Sequence, residues 1–200
     1  MRDTREQSVD EGILLFSGGL DSFYLLQVLR PKRVAHFIVN FRQTLLALRA
    51  LSALDPEVVL YDHRPFLKAV SAELAKHQMG EYLCLACKRG MVLRASQHGV
   101  PIMGDSLGQV ASQTLQNAAF VSRGVKVLRP LFGSDKEDLG VEDPLAQAGS
   151  AVQCPFKPEP VATKPPRGAK ARALEFIIRK NLHLSRRVAV RRASELTALG

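Results

Sequence analysis

Five runs of apolar and β-branched residues punctuate the chain: "ILLF" (13–16), "RVAHFIV" (33–39), "EVVLY" (57–61), "VPIMG" (100–104) and "VKVLRPL" (125–131). Each is nearly continuous rather than alternating, the pattern of strands covered on both faces. Between them, apolar positions return at helical spacing. Phe23, Leu26 and Leu29 share one side of 21–30, and Leu67, Val70 and Leu74 one side of 66–76. Leu83, Met91 and Leu93 mark 81–97; Leu107, Val110, Thr114 and Leu115 mark 105–119. Strands alternating with helices predict an α/β fold, three layers deep, with a parallel, doubly wound sheet of about five strands.

The pattern then changes. "GSDKEDLGVEDPLAQAG" reads as a turn and short helices, and "CPFKPEPVATKPPRG", with five prolines, as extended loop. A helix resumes near Ala171, and the end, "SRRVAVRRASELTALG", reads as helical or frayed. The expected organisation is one domain over 1–166 and a basic, helical extension over 167–200. Charge follows this division. From residue 157 onward eleven Lys/Arg face three Asp/Glu, giving +8 of the chain's +9, whereas the first 156 residues carry 17 against 16. Such a segment attracts phosphate backbones, or is simply a solvated helix and tail. No apolar run approaches the ~20 residues of a membrane span, and "MRDTREQSVDEG" has no signal-peptide core, so the expectation is a cytoplasmic protein. Three cysteines, an odd number, argue against a disulfide framework.

The turn after the first run, "SGGLDS", has a strand before it and a helix after it. Glycines let backbone approach phosphate oxygens, Ser17 and Ser22 add hydroxyls, and a helix N-terminus adds unpaired amides and positive potential. There is no Walker lysine. Asp21 would repel a bare phosphate but suits a Mg²⁺ ion that bridges it to the anion. A tight capped turn is the plainer reading. A second polar turn, "MGDSLGQVASQTLQN" (103–117), leaves another strand, where ligands of open parallel sheets bind.

"SGGLDS" resembles the SGGxDS PP-loop of the ATP pyrophosphatases, a superfamily that includes GMP synthetase, NAD synthetase, argininosuccinate synthetase and tRNA-thiolating enzymes. "GDSLGQVASQT" is similar to the GESLGQVASQT signature of the tRNA 4-thiouridine synthetases, the ThiI family, with Asp105 in the usual glutamate position. "CLACKRGMVLRAS", "VLRPLFGSDKEDL" and "CPFKPEPVATKP" resemble further motifs of that family, in order, over about residues 12–166. The resemblance implies an adenine nucleotide alpha hydrolase-like (HUP) fold and an ATP-dependent tRNA sulfurtransferase. Ser17, Gly18, Gly19, Asp21 and Ser22 would hold the ATP phosphates and Mg²⁺. Gly104, Asp105, Ser106, Gln109 and Gln113 would complete the nucleotide pocket, with Thr114 nearby. Phe37 and Asn40, where strand two ends, would lie by the adenine. Lys88, with Arg89, would stabilise phosphate charge, or else face solvent or tRNA.

Cys84 and Cys87 are three apart on an expected helix start, where the helix end and Lys88 and Arg89 would lower their pKa values. With the distant Cys154 they match, by the family resemblance, the pattern implied for a three-cysteine [4Fe–4S] cluster. Persulfide or disulfide chemistry, or structural zinc with His63 or His98, are the alternatives. The family's THUMP and ferredoxin-like regions have no counterpart in these residues. RNA contact would then fall to Arg89, Arg179, Lys180, Arg186, Arg187, Arg191 and Arg192, with Arg167, Lys170 and Arg172 nearby, or to a separate THUMP-type partner. A sulfur donor is also required, and a homodimer is the family-like expectation. The competing readings are a PP-loop enzyme thiolating or amidating another substrate, and a non-catalytic nucleotide- or RNA-binding module.

Overall fold

The computed structural model describes residues 11–107, 113–134 and 140–198. Four strands run parallel: β1 (Gly12–Leu15), β2 (Arg33–Ile38), β3 (Glu57–Asp62) and β4 (Val100–Ile102). A fifth, β5 (Arg186–Arg192), lies antiparallel against β3 and pairs Glu57 with Arg192 and Asp62 with Arg186. The sheet order is β4-β1-β2-β3-β5. The helices are α1 (Leu20–Leu29), α2 (Phe41–Ser52), α3 (Arg64–Lys76), α4 (Leu83–Ala95), α5 (Leu115–Val121), α6 (Pro144–Ala151), α7 (Gly168–Asn181) and α8 (Ala193–Thr197).

Successive strand residues point to opposite faces, and the core divides accordingly. Leu14, Val34 and Val58 meet α1 and α2 on one face, together with Ala146 of α6 and Ala193 of α8. Ile13, Ala35 and Val59 turn the other way, toward Ala95 of α4. On that second side α3, α4 and α7 pack around Phe66, Leu67, Val92, Leu174 and Ile178. The sheet is therefore doubly wound, as expected.

Its fifth strand is not the expected one. "VKVLRPL" contributes only an isolated parallel bridge, Ile102 to Leu128. The strand comes instead from the arginine-rich end. Val190 reaches the Ile13–Ala35–Val59 cluster, and an edge strand needs only one hydrogen-bonded neighbour. Its arginines also discourage pairing with a further chain. The residues after 166 are thus built into the sheet and core rather than appended, because α7 supplies Leu174, Ile177 and Ile178 to the main cluster. Helix α2 went unassigned in the apolar pattern, although Thr44, Ala47, Leu48 and Leu51 form its buried side. Of the helix expected over 105–119, only 115–119 is helical among the described residues, as the start of α5; 105–107 and 113–114 are irregular, and 108–112 lie outside the described residues.

Candidate functional site

β1 stands between β2 and β4, so the chain leaves β1 toward one side and returns on the other. A crevice opens at the carboxyl ends of strands where the order reverses, and the two polar turns lie there. After β1, Gly18 takes φ +81°, and a Cβ there would lie 3.1 Å from that of Ala47. Glycine is required on both grounds. Hydroxyls tie the turn internally: the Gly19 amide donates to Ser17 Oγ (3.3 Å), the Ser17 amide to Ser22 Oγ (3.3 Å), and Ser22 Oγ to the Gly19 carbonyl (3.0 Å). Helix α1 begins at Leu20, directing its first amides at the crevice.

After β4, Gly104 comes so close that a Cβ would lie 3.1 Å from Asp21 Cβ and from the Ser22 nitrogen. Asp105, buried, accepts from Lys88 Nζ (2.8 Å), Arg129 Nε (3.3 Å) and Gln113 Nε2 (3.4 Å). Burial pushes its carboxyl upward, but the adjacent Lys88 and Arg129 outweigh this and leave it below the usual range. Lys88 is therefore fixed by a carboxylate at the rim of the crevice.

A cavity of about 400 Å³ joins these parts. Ser17, Gly19, Asp21, Ser22, Phe37, Lys88, Gly104, Asp105 and Gln113 all line it, as do Cys87 and Cys154. Gly18 supports the turn from beneath, and Ser106 is fully buried. Asn40 does not line this cavity; its side chain caps α2, accepting from the Arg42 and Gln43 amides. Gln109 lies outside the described residues. Thr114 caps α5 through Asn117 and donates to the Thr163 carbonyl.

Two expectations are corrected. Burial raises the Cys84 and Cys87 thiols, and the neighbouring Cys154 charge raises them further, so Lys88 does not lower them below the ordinary value. Arg89, expected at an RNA surface, is 1% exposed. It donates to Glu175 (3.0 and 3.3 Å) and to the Val121 carbonyl (3.0 Å), which ties the cysteine helix to α7. The other cations remain outside but are unevenly free. Arg179 pairs with Glu175, Lys180 with Glu73 and Arg191 with Glu195, while Arg192 donates to the Asp55 carbonyl. Because β5 is antiparallel, Arg186 and Arg187 stand at the cavity end of the sheet and Arg191 and Arg192 at the opposite end.

Among the described residues no three His, Cys, Asp or Glu converge to hold a metal ion. His63 instead bonds Ser185 Oγ (2.7 Å), and His98 meets the Tyr61 hydroxyl (2.8 Å). Three contributors escaped the sequence reading. Arg129 braces Asp105, and Ser150 accepts from the Leu20 amide (3.0 Å). His36 lines the cavity between the Phe16 carbonyl (Nδ1, 2.8 Å) and Thr44 Oγ1 (Nε2, 3.0 Å). The carbonyl accepts only, so Nδ1 carries the proton, and burial lowers the His36 pKa to about 4.

A doubly wound sheet with an SGGxDS turn at its switch point defines the PP-loop class of α/β proteins. Within that class the chain belongs to the ThiI family: the family model described as thiamine biosynthesis protein (ThiI) matches residues 7–143. A probable tRNA sulfurtransferase of Methanocaldococcus jannaschii is 36% identical over 91 residues, covering 42% of this chain and 24% of the relative. One from Aeropyrum pernix is 31% identical over 150 residues, covering 66% and 38%. The chain thus spans well under half the length of these relatives. A crystal structure described as a 4-thiouridine synthetase–RNA complex with bound ATP superposes with a TM-score of 0.63 at 21% identity, over 94% of this chain and 53% of the other. That likeness bears on the fold. Among the described residues no helix is long and apolar enough to cross a membrane.

Proposed function

We propose that the chain is the ATP-consuming part of a tRNA sulfurtransferase, which adenylates uridine O4 and replaces that oxygen with sulfur. One observation carries the reading: the phosphate-binding turn and two thiols, Cys87 and Cys154, line the same cavity. Activation and sulfur delivery must meet at one carbon, and a shared cavity allows it. The names of the relatives, and the ATP and RNA in the fold neighbour, agree with it.

In this reading the Gly18 and Gly19 amides, the Ser17 and Ser22 hydroxyls and the positive end of α1 receive the ATP phosphates. Asp21 would hold Mg²⁺, and Phe37 would lie near the adenine. Uridine O4 attacks the α-phosphorus; the O4–P bond forms as the bond to pyrophosphate breaks. Lys88, anchored by Asp105 on the cavity wall, would meet the charge that grows on the leaving group. Hydrosulfide sulfur then attacks C4, the C4–O bond breaks, AMP departs with the oxygen, and loss of the S–H proton leaves the thiocarbonyl.

Cys84, Cys87 and Cys154 would form the sulfur-handling set, with Cys87 and Cys154 on the cavity wall. The Cys84–Cys87 pair with the distant Cys154 is the pattern that favours a three-cysteine [4Fe–4S] cluster, which would supply an iron to hold hydrosulfide. A persulfide on one of these thiols is the other carrier: its outer sulfur would attack C4, and a second thiol of the set would then break the S–S bond, leaving a disulfide. Arg186 and Arg187, at the cavity end, are the proposed phosphate contacts for RNA, with a separate THUMP-type protein as a further partner, in the cytoplasm.

Nucleoside mass spectrometry of tRNA from a deletion strain tests the acceptor: 4-thiouridine should vanish, and unchanged thiolation would point to another substrate. Pyrophosphate release that survives Asp21→Ala would refute the assigned role of the loop. Iron and sulfide analysis after anaerobic purification tests the cluster; a colourless, iron-free protein would move sulfur onto a persulfide.

A further inference from the structure

The segment after residue 140 folds back over the phosphate turn. Asp143 caps α6 by accepting from the Leu145 (2.8 Å) and Ala146 (3.2 Å) amides, and α6 packs on α1 and α2. The strap is therefore pinned at its start. At its end Gly149 is buried against the loop so closely that a Cβ there would strike the Gly18 carbonyl oxygen. This backbone-on-backbone contact delivers the next side chain. Ser150 Oγ accepts from the Leu20 amide at 3.0 Å, across 130 residues of sequence, and lines the cavity.

The Leu20 amide is the first of α1, one of those that would otherwise meet an anion directly. Accepting uses a hydroxyl lone pair and leaves its proton to give. The chain N–H···Oγ–H thus extends the positive end of the helix by one atom into the cavity. We infer that Ser150 is a phosphate ligand of this site: its hydroxyl, oriented by Leu20 and held by the Gly149–Gly18 contact, donates to a phosphate oxygen of the nucleotide. The inference rests on the proposed ATP-binding reading and adds a ligand from outside the SGGxDS turn. It makes the phosphate cradle two-sided, with the loop on one wall and the strap on the other.

The test is calorimetric titration of the full chain with ATP, with inorganic pyrophosphate and with adenosine. Ser150→Ala should weaken ATP and pyrophosphate about tenfold, which is about 1.4 kcal/mol. Adenosine binding should stay the same. Ser150→Thr keeps the hydroxyl and should remain within about twofold of the parent. Gly149→Ala, which leaves the hydroxyl in the sequence but forces the strap off the loop, should lose affinity for both phosphate ligands. Thermal unfolding run alongside identifies a variant that has merely lost its fold, and the threonine variant then decides. If Ser150→Ala binds pyrophosphate as well as a parent that binds it measurably, the inference falls and the ATP reading stands. A folded parent that binds neither ATP nor pyrophosphate would overturn both.

Discussion

Arg89→Ala separates a structural arginine from an RNA-contacting one. The side chain is 1% exposed, and its guanidinium makes three hydrogen bonds, two to Glu175 and one to the Val121 carbonyl. Truncation leaves that carbonyl without its donor, at a cost of about 1–3 kcal/mol. Glu175 keeps Arg179 at 2.6 Å, so its charge is not abandoned and the loss is smaller than for a stranded ion. The void left by a long buried side chain adds about 1–2 kcal/mol. The sum is about 2–5 kcal/mol, and for a chain of this size each kcal/mol lowers the melting temperature by about 2–4 °C. A fall of about 10 °C is expected in a calorimetric or circular-dichroism melt. Arg89→Lys, which keeps the charge but not the fork, should fall about half as far. A melt within about 2 °C of the parent, together with lost RNA affinity, would refute the packing role and restore the surface one.

Three other outcomes follow from the same geometry. Gly18→Ala combines a φ of +81° with a Cβ 3.1 Å from Ala47, so it should cost about 1–3 kcal/mol in urea unfolding and abolish pyrophosphate release. Acid should destabilise the chain from about pH 6.5 downward, because an unfolded imidazole takes up a proton that buried His36 resists until about pH 4. At about 1.4 kcal/mol per pH unit, His36 alone removes roughly 3 kcal/mol; urea midpoints for His36→Gln should therefore fall less steeply over that window, the remaining slope coming from His63, which burial lowers to about 3. Replacing Arg186 and Arg187 together by Gln should weaken tRNA binding and lower the salt slope by about 2. The same change at Arg191 and Arg192, at the far end of the sheet, should leave binding near that of the parent.

How much was legible in the sequence depended on distance. The four parallel strands and the helices 20–29, 64–76 and 83–95 announce themselves through local periodicity, and both polar turns through their glycines. What stayed hidden was non-local. "RRVAVRR" is too charged to look like a strand, and only the waiting edge of β3 makes it one. Arg89 sits in a basic motif next to Lys88, yet its fate is set by Glu175, which lies 86 residues away. The same holds for the cysteines: their spacing predicts a shared helical face, but the raised thiols follow from tertiary burial. Ser150 carried no local signal, because its partner is the Leu20 backbone amide.

The antiparallel edge strand also bears on how the molecule comes to be folded. Glu57 of β3 waits for Arg192, so the sheet cannot be completed until residues 186–192 have been synthesised. Until then the partially made protein carries an open strand edge and an uncovered apolar face where α7 will dock. The parallel strands are laid down in the meantime, but they are held provisionally. Cutting the chain at residue 166, where composition suggests a boundary, would therefore yield an aggregation-prone intermediate instead of a domain.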